Sequence, residues 1–133
     1  MASAIEWYTT SQENLLAANE AAGKRRWRCA CSRAYYAAHH SAHAVLVHFE
    51  PPLARQPRSI SHGELPARLF RTLRRHGAAS ELVADLVRIR LGGAYTIRIE
   101  SDYKPQFEVG REKYSMCLAA ARQAFDLARS LLK

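Results

Sequence analysis

Apolar residues recur along this chain at helical spacing almost from end to end. Ser3 is placed to cap a first helix reaching Ala22, with Ile5, Tyr8, Leu15, Leu16 and Ala22 among its apolar positions and Gly23 as its stop. A second helix is expected from Lys24 to Phe49. Its stripe is Trp27, Ala30, Cys31, Ala34, Tyr35, Ala38, Ala42, Val45, Leu46 and Phe49, ended by Pro51 and Pro52. The proline-bearing stretch from Glu50 to Ile60 reads as a loop. Ser61-His62-Gly63-Glu64 has the form of a capping box, opening a third helix with Leu65, Leu69, Phe70 and Leu73 that stops near Gly77. Ser80 can cap a fourth, carrying Leu82, Val83, Leu86, Val87 and Ile89. Gly92-Gly93 invites a break there, and the residues after it, Tyr95 to Ile99, have a short strand as their alternative. A last helix runs from Gln106 to Leu132. The pattern predicts an all-α, up-and-down antiparallel bundle of four to five helices, one domain over residues 1–133.

The chain's 133 residues, 48% apolar and 24% charged, are ordinary for a globular protein and speak against disorder. No apolar run approaches a membrane span, and no basic segment leads into an apolar one at the N-terminus. The expected compartment is the cytoplasm, with no membrane partner. Three cysteines, Cys29, Cys31 and Cys117, cannot close a disulfide framework within one chain. The charge changes the picture more. Twenty basic against twelve acidic residues give +8, and sixteen of the twenty are Arg. That balance points to a polyanionic partner, either nucleic acid or an acidic protein surface, or else to a solvated basic coat.

Three groups of residues could carry chemistry. Arg33, Tyr36, His40 and His43 fall on one stripe of the second helix, opposite the core face. They could grip phosphate and stack a base, form a helix contact in a dimer, or face solvent. Arg98 and Asp102 are spaced to pair on one helical turn, with Tyr103 beside them. Arg68, Arg71 and Arg75 share a face of the third helix, a basic strip suited to a nucleic-acid backbone. His39 and His43 have a metal-ligand spacing, but no carboxylate stands near them before Glu50, so neither a metal nor a cofactor is expected. There is no Gly-rich phosphate loop and no paired-carboxylate signature.

The block Ser32-Arg-Ala-Tyr-Tyr-Ala-Ala-His-His-Ser-Ala-His-Ala-Val-Leu46 resembles the second-helix signature of HEPN domains (higher eukaryotes and prokaryotes nucleotide-binding), in particular the small stand-alone prokaryotic ones. Ser61-His62-Gly63 is similar to that family's opening of the third helix, and Arg98-x-x-x-Asp102-Tyr103 to a segment of the fourth. The resemblance runs from about Trp7 to Leu132. It implies a helical bundle that pairs as a homodimer and is often encoded beside a minimal nucleotidyltransferase in toxin–antitoxin pairs. It also implies, for active members, a metal-independent ribonuclease. Their motif is an Arg followed four to six residues later by His, the imidazole serving proton transfer and the Arg holding the scissile phosphate.

In this sequence Arg98 is followed by Asp102 and Tyr103, with no histidine in range. The matching spacings lie elsewhere: Arg33 to His39 or, one residue longer, His40, Arg58 to His62, and Arg71 to His76. The expectation is therefore an RNA- or nucleotide-binding HEPN protein with a degenerate ribonuclease motif, with a cognate nucleotidyltransferase as a partner. The site is expected at Arg98, Asp102 and His40, with Arg33, Tyr36, Tyr103, Arg68, Arg71 and Arg75 as nucleic-acid contacts. The alternative is a non-catalytic basic helical module that dimerises and binds an acidic partner protein.

Overall fold

The computed structural model describes residues 2–56 and 60–132. Among these every regular element is helical: α1 (Ala4–Gly23), α2 (Trp27–Phe49), a single 3₁₀ turn (Pro51–Arg55), α3 (Leu65–Arg75), α4 (Glu81–Asp85), α5 (Leu91–Tyr103) and α6 (Arg111–Leu132). The all-α expectation holds, with one helical segment more than foreseen. Ser3 caps α1 through a full capping box, its hydroxyl accepting from the Glu6 amide at 3.2 Å. Beyond α1 the left-handed residue is Arg25, with φ +57°, rather than Gly23. The expected box at Ser61 forms only in half. Ser61 Oγ accepts from the Glu64 amide at 3.3 Å, but the Glu64 carboxylate turns to Arg68, and α3 opens at Leu65 with Pro66 in its first turn.

The double glycine does not break the fourth rod. Instead α4 passes into α5 through a π-helical turn, Leu86–Arg90, immediately upstream. The physical reason lies in the apolar spacing. Val83, Leu86, Leu91, Ala94 and Ile97 are all buried, and Leu86 and Leu91 are one residue too far apart to share a face of a regular α-helix. The wider turn absorbs that residue and keeps both inward. The strand alternative for Tyr95–Ile99 is overturned, because the segment lies within α5.

α2 is the centre of the molecule, packed by α1, α6, α5 and α3. Its Ala30, Ala34, Ala38 and Ala42 form a fully buried row, and Ala37, Ser41 and Ala44 on other faces are equally buried. The one-sided core face read from spacing is thus corrected to a helix covered nearly all round. Alanines at 0–7% exposure on α1 and α6 as well let three helices approach closely. Cys31 and Cys117 are buried and free, and Cys29 is exposed and free. No helix among the described residues is long and apolar enough to cross a membrane.

Arg28 ties α2 to the end of α5. Its Nη1 donates to the carbonyls of Glu100, Ser101 and Lys104 at 3.0, 3.1 and 3.4 Å, and its Nη2 to those of Pro105 and Phe107. Those of Glu100 and Ser101 lie in the last turn of α5, where a helix C-terminus leaves carbonyls short of intrahelical partners, and a cation there also meets the negative end of the helix dipole. Arg28→Ala is expected to cost about 2 kcal/mol, read as a Tm drop of roughly 5–10 °C. Amide exchange should accelerate first at residues 101–108. An unchanged Tm would remove Arg28 from this role.

Candidate functional site

Tyr36, half-buried on α2, is the point where the candidate side chains meet. The guanidinium of Arg33 lies 5.6 Å from its ring centre and that of Arg98 5.2 Å. Two imidazole rings flank it, His40 at 5.8 Å and His62 at 6.0 Å. Two cations and two imidazoles around one aromatic face is an arrangement for an anion joined to a planar group.

Arg98 is the better fixed of the two cations. Its side chain is 12% exposed, its Nη2 donates to the Tyr36 hydroxyl at 2.7 Å, and its Nε lies 3.0 Å from Asp102 Oδ2. The same carboxylate oxygen accepts from Ser32 Oγ at 3.2 Å, so α2 and α5 hold the aspartate jointly. Tyr103, 66% exposed, lies with its ring 5.3 Å from the Arg98 guanidinium. The guanidinium is thus oriented in advance, with an exposed aromatic beside it, as phosphate recognition requires.

On the other side of Tyr36, α1 contributes Asn14. Its amide nitrogen donates to His40 Nδ1 at 3.2 Å, and its carbonyl oxygen accepts from Arg33 Nη1 at 3.2 Å. Arg33 and His40, one of the spacings nearest the ribonuclease motif, are therefore linked through a residue the spacing could not reveal. A groove of about 560 Å³ opens here, lined by Thr10, Glu13, Asn14, Arg33, Tyr36 and His40.

The histidines divide by burial. His43 is 1% and His39 2% exposed, which corrects the expectation that His43 shares a polar stripe with Arg33, Tyr36 and His40. α1 covers it: the Trp7 ring meets it edge-on at 4.5 Å, and its Nδ1 accepts from the Ile60 amide at 3.4 Å. His39 packs on His62 with ring centres 4.4 Å apart. Burial, with neighbouring imidazoles, holds His39 down to about 3; burial, with Arg33, holds His40 down to about 4; burial, with His40 and Arg68, holds His43 down to about 4. His62 is lowered too, by its burial and by Arg98. Among the described residues no three His, Cys, Asp or Glu side chains are grouped to hold a metal ion.

The structure brings Arg33, Tyr36, His40, Arg98, Asp102 and Tyr103 together and leaves the α3 strip apart. Arg68 is answered by Glu50 at 3.2 Å and Glu64 at 3.5 Å, while Arg71 and Arg75 are exposed. Of the remaining spacings, His76 is exposed and packs on Phe49, and Arg58 lies outside the described residues. Asn14, Ser32 and Arg28 were not legible from spacing, because each acts across helices and none breaks the pattern of its own.

A family model, the HEPN domain, matches residues 4–131. Comparison with curated proteins finds no match. The family match covers nearly the whole of an all-helical chain, and the chain belongs to the HEPN domain family. That membership carries a nucleotide- or RNA-related function in general terms, and HEPN domains often bind RNA and dimerise.

Proposed function

We propose that this protein binds RNA or a nucleotide at the Tyr36 site, as the toxin-like half of a pair with a minimal nucleotidyltransferase, and that it works as a homodimer. The observation that carries the reading is the Arg98 guanidinium, held by Asp102 and Tyr36 beside an exposed Tyr103. In this reading Arg98 contacts phosphate, Asp102 orients Arg98, Tyr36 and Tyr103 stack, Arg33 adds a second cation, and His40 is a proton-transfer group. Arg71 and Arg75, with Arg68 nearby, extend the contact to the nucleic-acid backbone. No histidine follows Arg98 at the ribonuclease spacing.

Fluorescence anisotropy with a single-stranded RNA tests it. Affinity is expected to fall with salt at a slope of about −0.7 per phosphate neutralised on a single strand. Arg98→Ala is expected to weaken binding roughly tenfold, the loss of a charge-assisted contact. Arg98→Lys should not restore it, because an ammonium cannot reproduce the fork that Asp102 and Tyr36 orient. Absence of RNA binding at low salt would reject the reading and turn attention to an acidic protein partner.

A further inference from the structure

The groove beside Tyr36 has two walls of different character. Thr10, Glu13, Asn14 and Ala17 recur at helical spacing along one face of α1, and Arg33, Tyr36 and His40 of α2 form the other wall. Most of the polar side chains that line it are answered within the protein. Thr10 Oγ1 donates to the Glu6 carbonyl at 3.0 Å, and the Asn14 amide serves the Thr10 carbonyl, His40 and Arg33. The Tyr36 hydroxyl accepts from Arg98 at 2.7 Å. Glu13 is the exception. It is exposed, and among the described residues it has neither a hydrogen bond nor an ion pair, although Arg33 lines the same groove and turns to Asn14 instead.

A free carboxylate works against a groove that holds phosphate, because like charges repel. It suits a ligand that brings hydrogen-bond donors, since an ionised carboxylate only accepts, and does so at both oxygens. The nucleobases differ in what they offer it. On its Watson–Crick edge guanine carries two adjacent donors, N1–H and the N2 amino group, which match the two oxygens. Adenine and cytosine set a ring-nitrogen acceptor beside their amino group, and uracil sets its one N–H between two carbonyls. Each of these three turns a lone pair toward a carboxylate oxygen, which is repulsive. With the phosphate toward Arg33 and Arg98 and the base on Tyr36, the wall left for the base edge is that of α1, where Glu13 stands.

We infer that Glu13 makes the Tyr36 site selective for guanine, its two carboxylate oxygens accepting from N1–H and from the N2 amino group; the inference rests on the RNA-binding reading above. Glu13 is then a specificity-determining residue that meets the base and not the phosphate. Its selectivity has two parts, the paired donors of guanine that it satisfies and the lone pairs of the other bases that it repels.

The test is fluorescence anisotropy of the full chain with labelled five-residue RNAs, uridine throughout except at the centre. Wild type is expected to bind the RNA with central guanine roughly tenfold more tightly than those with adenine, cytosine or uracil, the worth of hydrogen bonds to a charged group. Central hypoxanthine keeps N1–H and lacks the amino group, and should weaken binding about threefold or more relative to guanine. Glu13→Gln replaces one acceptor by a donor at the same size. It is expected to remove the preference for guanine while affinity for the all-uridine RNA stays as in wild type or rises. Glu13→Ala is the second variant, and Glu20→Gln, on an exposed position two turns further along α1, should keep the preference. A wild type that binds these RNAs without preferring guanine, or a preference that survives in both Glu13 variants, overturns the assignment and leaves the binding reading standing. So does a Glu13→Gln protein that loses affinity equally for every central base, which would send the carboxylate to the ribose hydroxyls. A wild type that binds none of the RNAs removes both readings.

Discussion

Taking the protein from pH 7 to pH 5 is expected to cost roughly 3–4 kcal/mol of stability from His39 and His43 alone. Both rings are buried, and both are held in the folded chain far below the ordinary value of about 6.5, at about 3 and about 4. A group whose folded value is depressed binds fewer protons folded than unfolded. Its contribution is therefore complete above pH 6.5 and is lost as the pH falls toward 4, with a limiting slope of about 1.4 kcal/mol per unit for each ring. The cause is that charging either imidazole puts a cation among apolar and aromatic side chains, against Trp7 for His43 and against Tyr35 and His62 for His39. Urea midpoints at pH 7.5, 6 and 5 check this, in a window that lies above most carboxylate titration. His43→Gln should flatten the profile by about one proton's worth. A midpoint constant across the window would mean that these rings find water or a partner when charged.

The second large effect is expected from Ala38→Leu, a destabilisation of at least about 3 kcal/mol, the upper part of the range for overpacking. Ala38 has no exposed surface, and it belongs to the row Ala30, Ala34, Ala38, Ala42 along a helix that is itself surrounded. The facing helices are lined with alanines too, among them Ala18 and Ala21 of α1 and Ala120, Ala121, Ala124 and Ala128 of α6. Small side chains on α1 and α6 leave few flexible groups there that can move aside, so added carbons push backbone against backbone. Thermal unfolding should show a Tm lower by ten degrees or more. Gln12→Leu, on the exposed face of α1, should stay within about 0.5 kcal/mol of wild type. A near-neutral Ala38→Leu would show that the three helices can spread at little cost.

The second prediction marks where a one-dimensional reading succeeds. The alanine row and the capping box at Ser3 are written in local spacing, which short-range sterics and helix geometry translate directly. So is the ion pair of Arg98 with Asp102, one turn apart on α5. The π-turn at Leu86–Arg90 was readable in principle, since Leu86 and Leu91 fit no regular helical face, but the double glycine nearby drew the expected break to itself.

His43 shows what spacing cannot say. A polar residue on a helix stripe reads as solvent-facing, and only the arrival of α1 with Trp7 turns that stripe inward. Asn14 and Arg28 belong to the same class. Each is unremarkable within its own segment and gains its role from a partner many residues away: Asn14 from His40, Arg28 from the carbonyls that end α5. By itself, then, the sequence determined the helices, most of their ends, the resemblance to the family and the Arg98–Asp102 pair, because these depend on neighbours within a few turns. The tertiary structure decided which histidines are buried and which cation is held ready. Those properties depend on desolvation and on hydrogen bonds across helices, which exist only once the bundle has closed around α2.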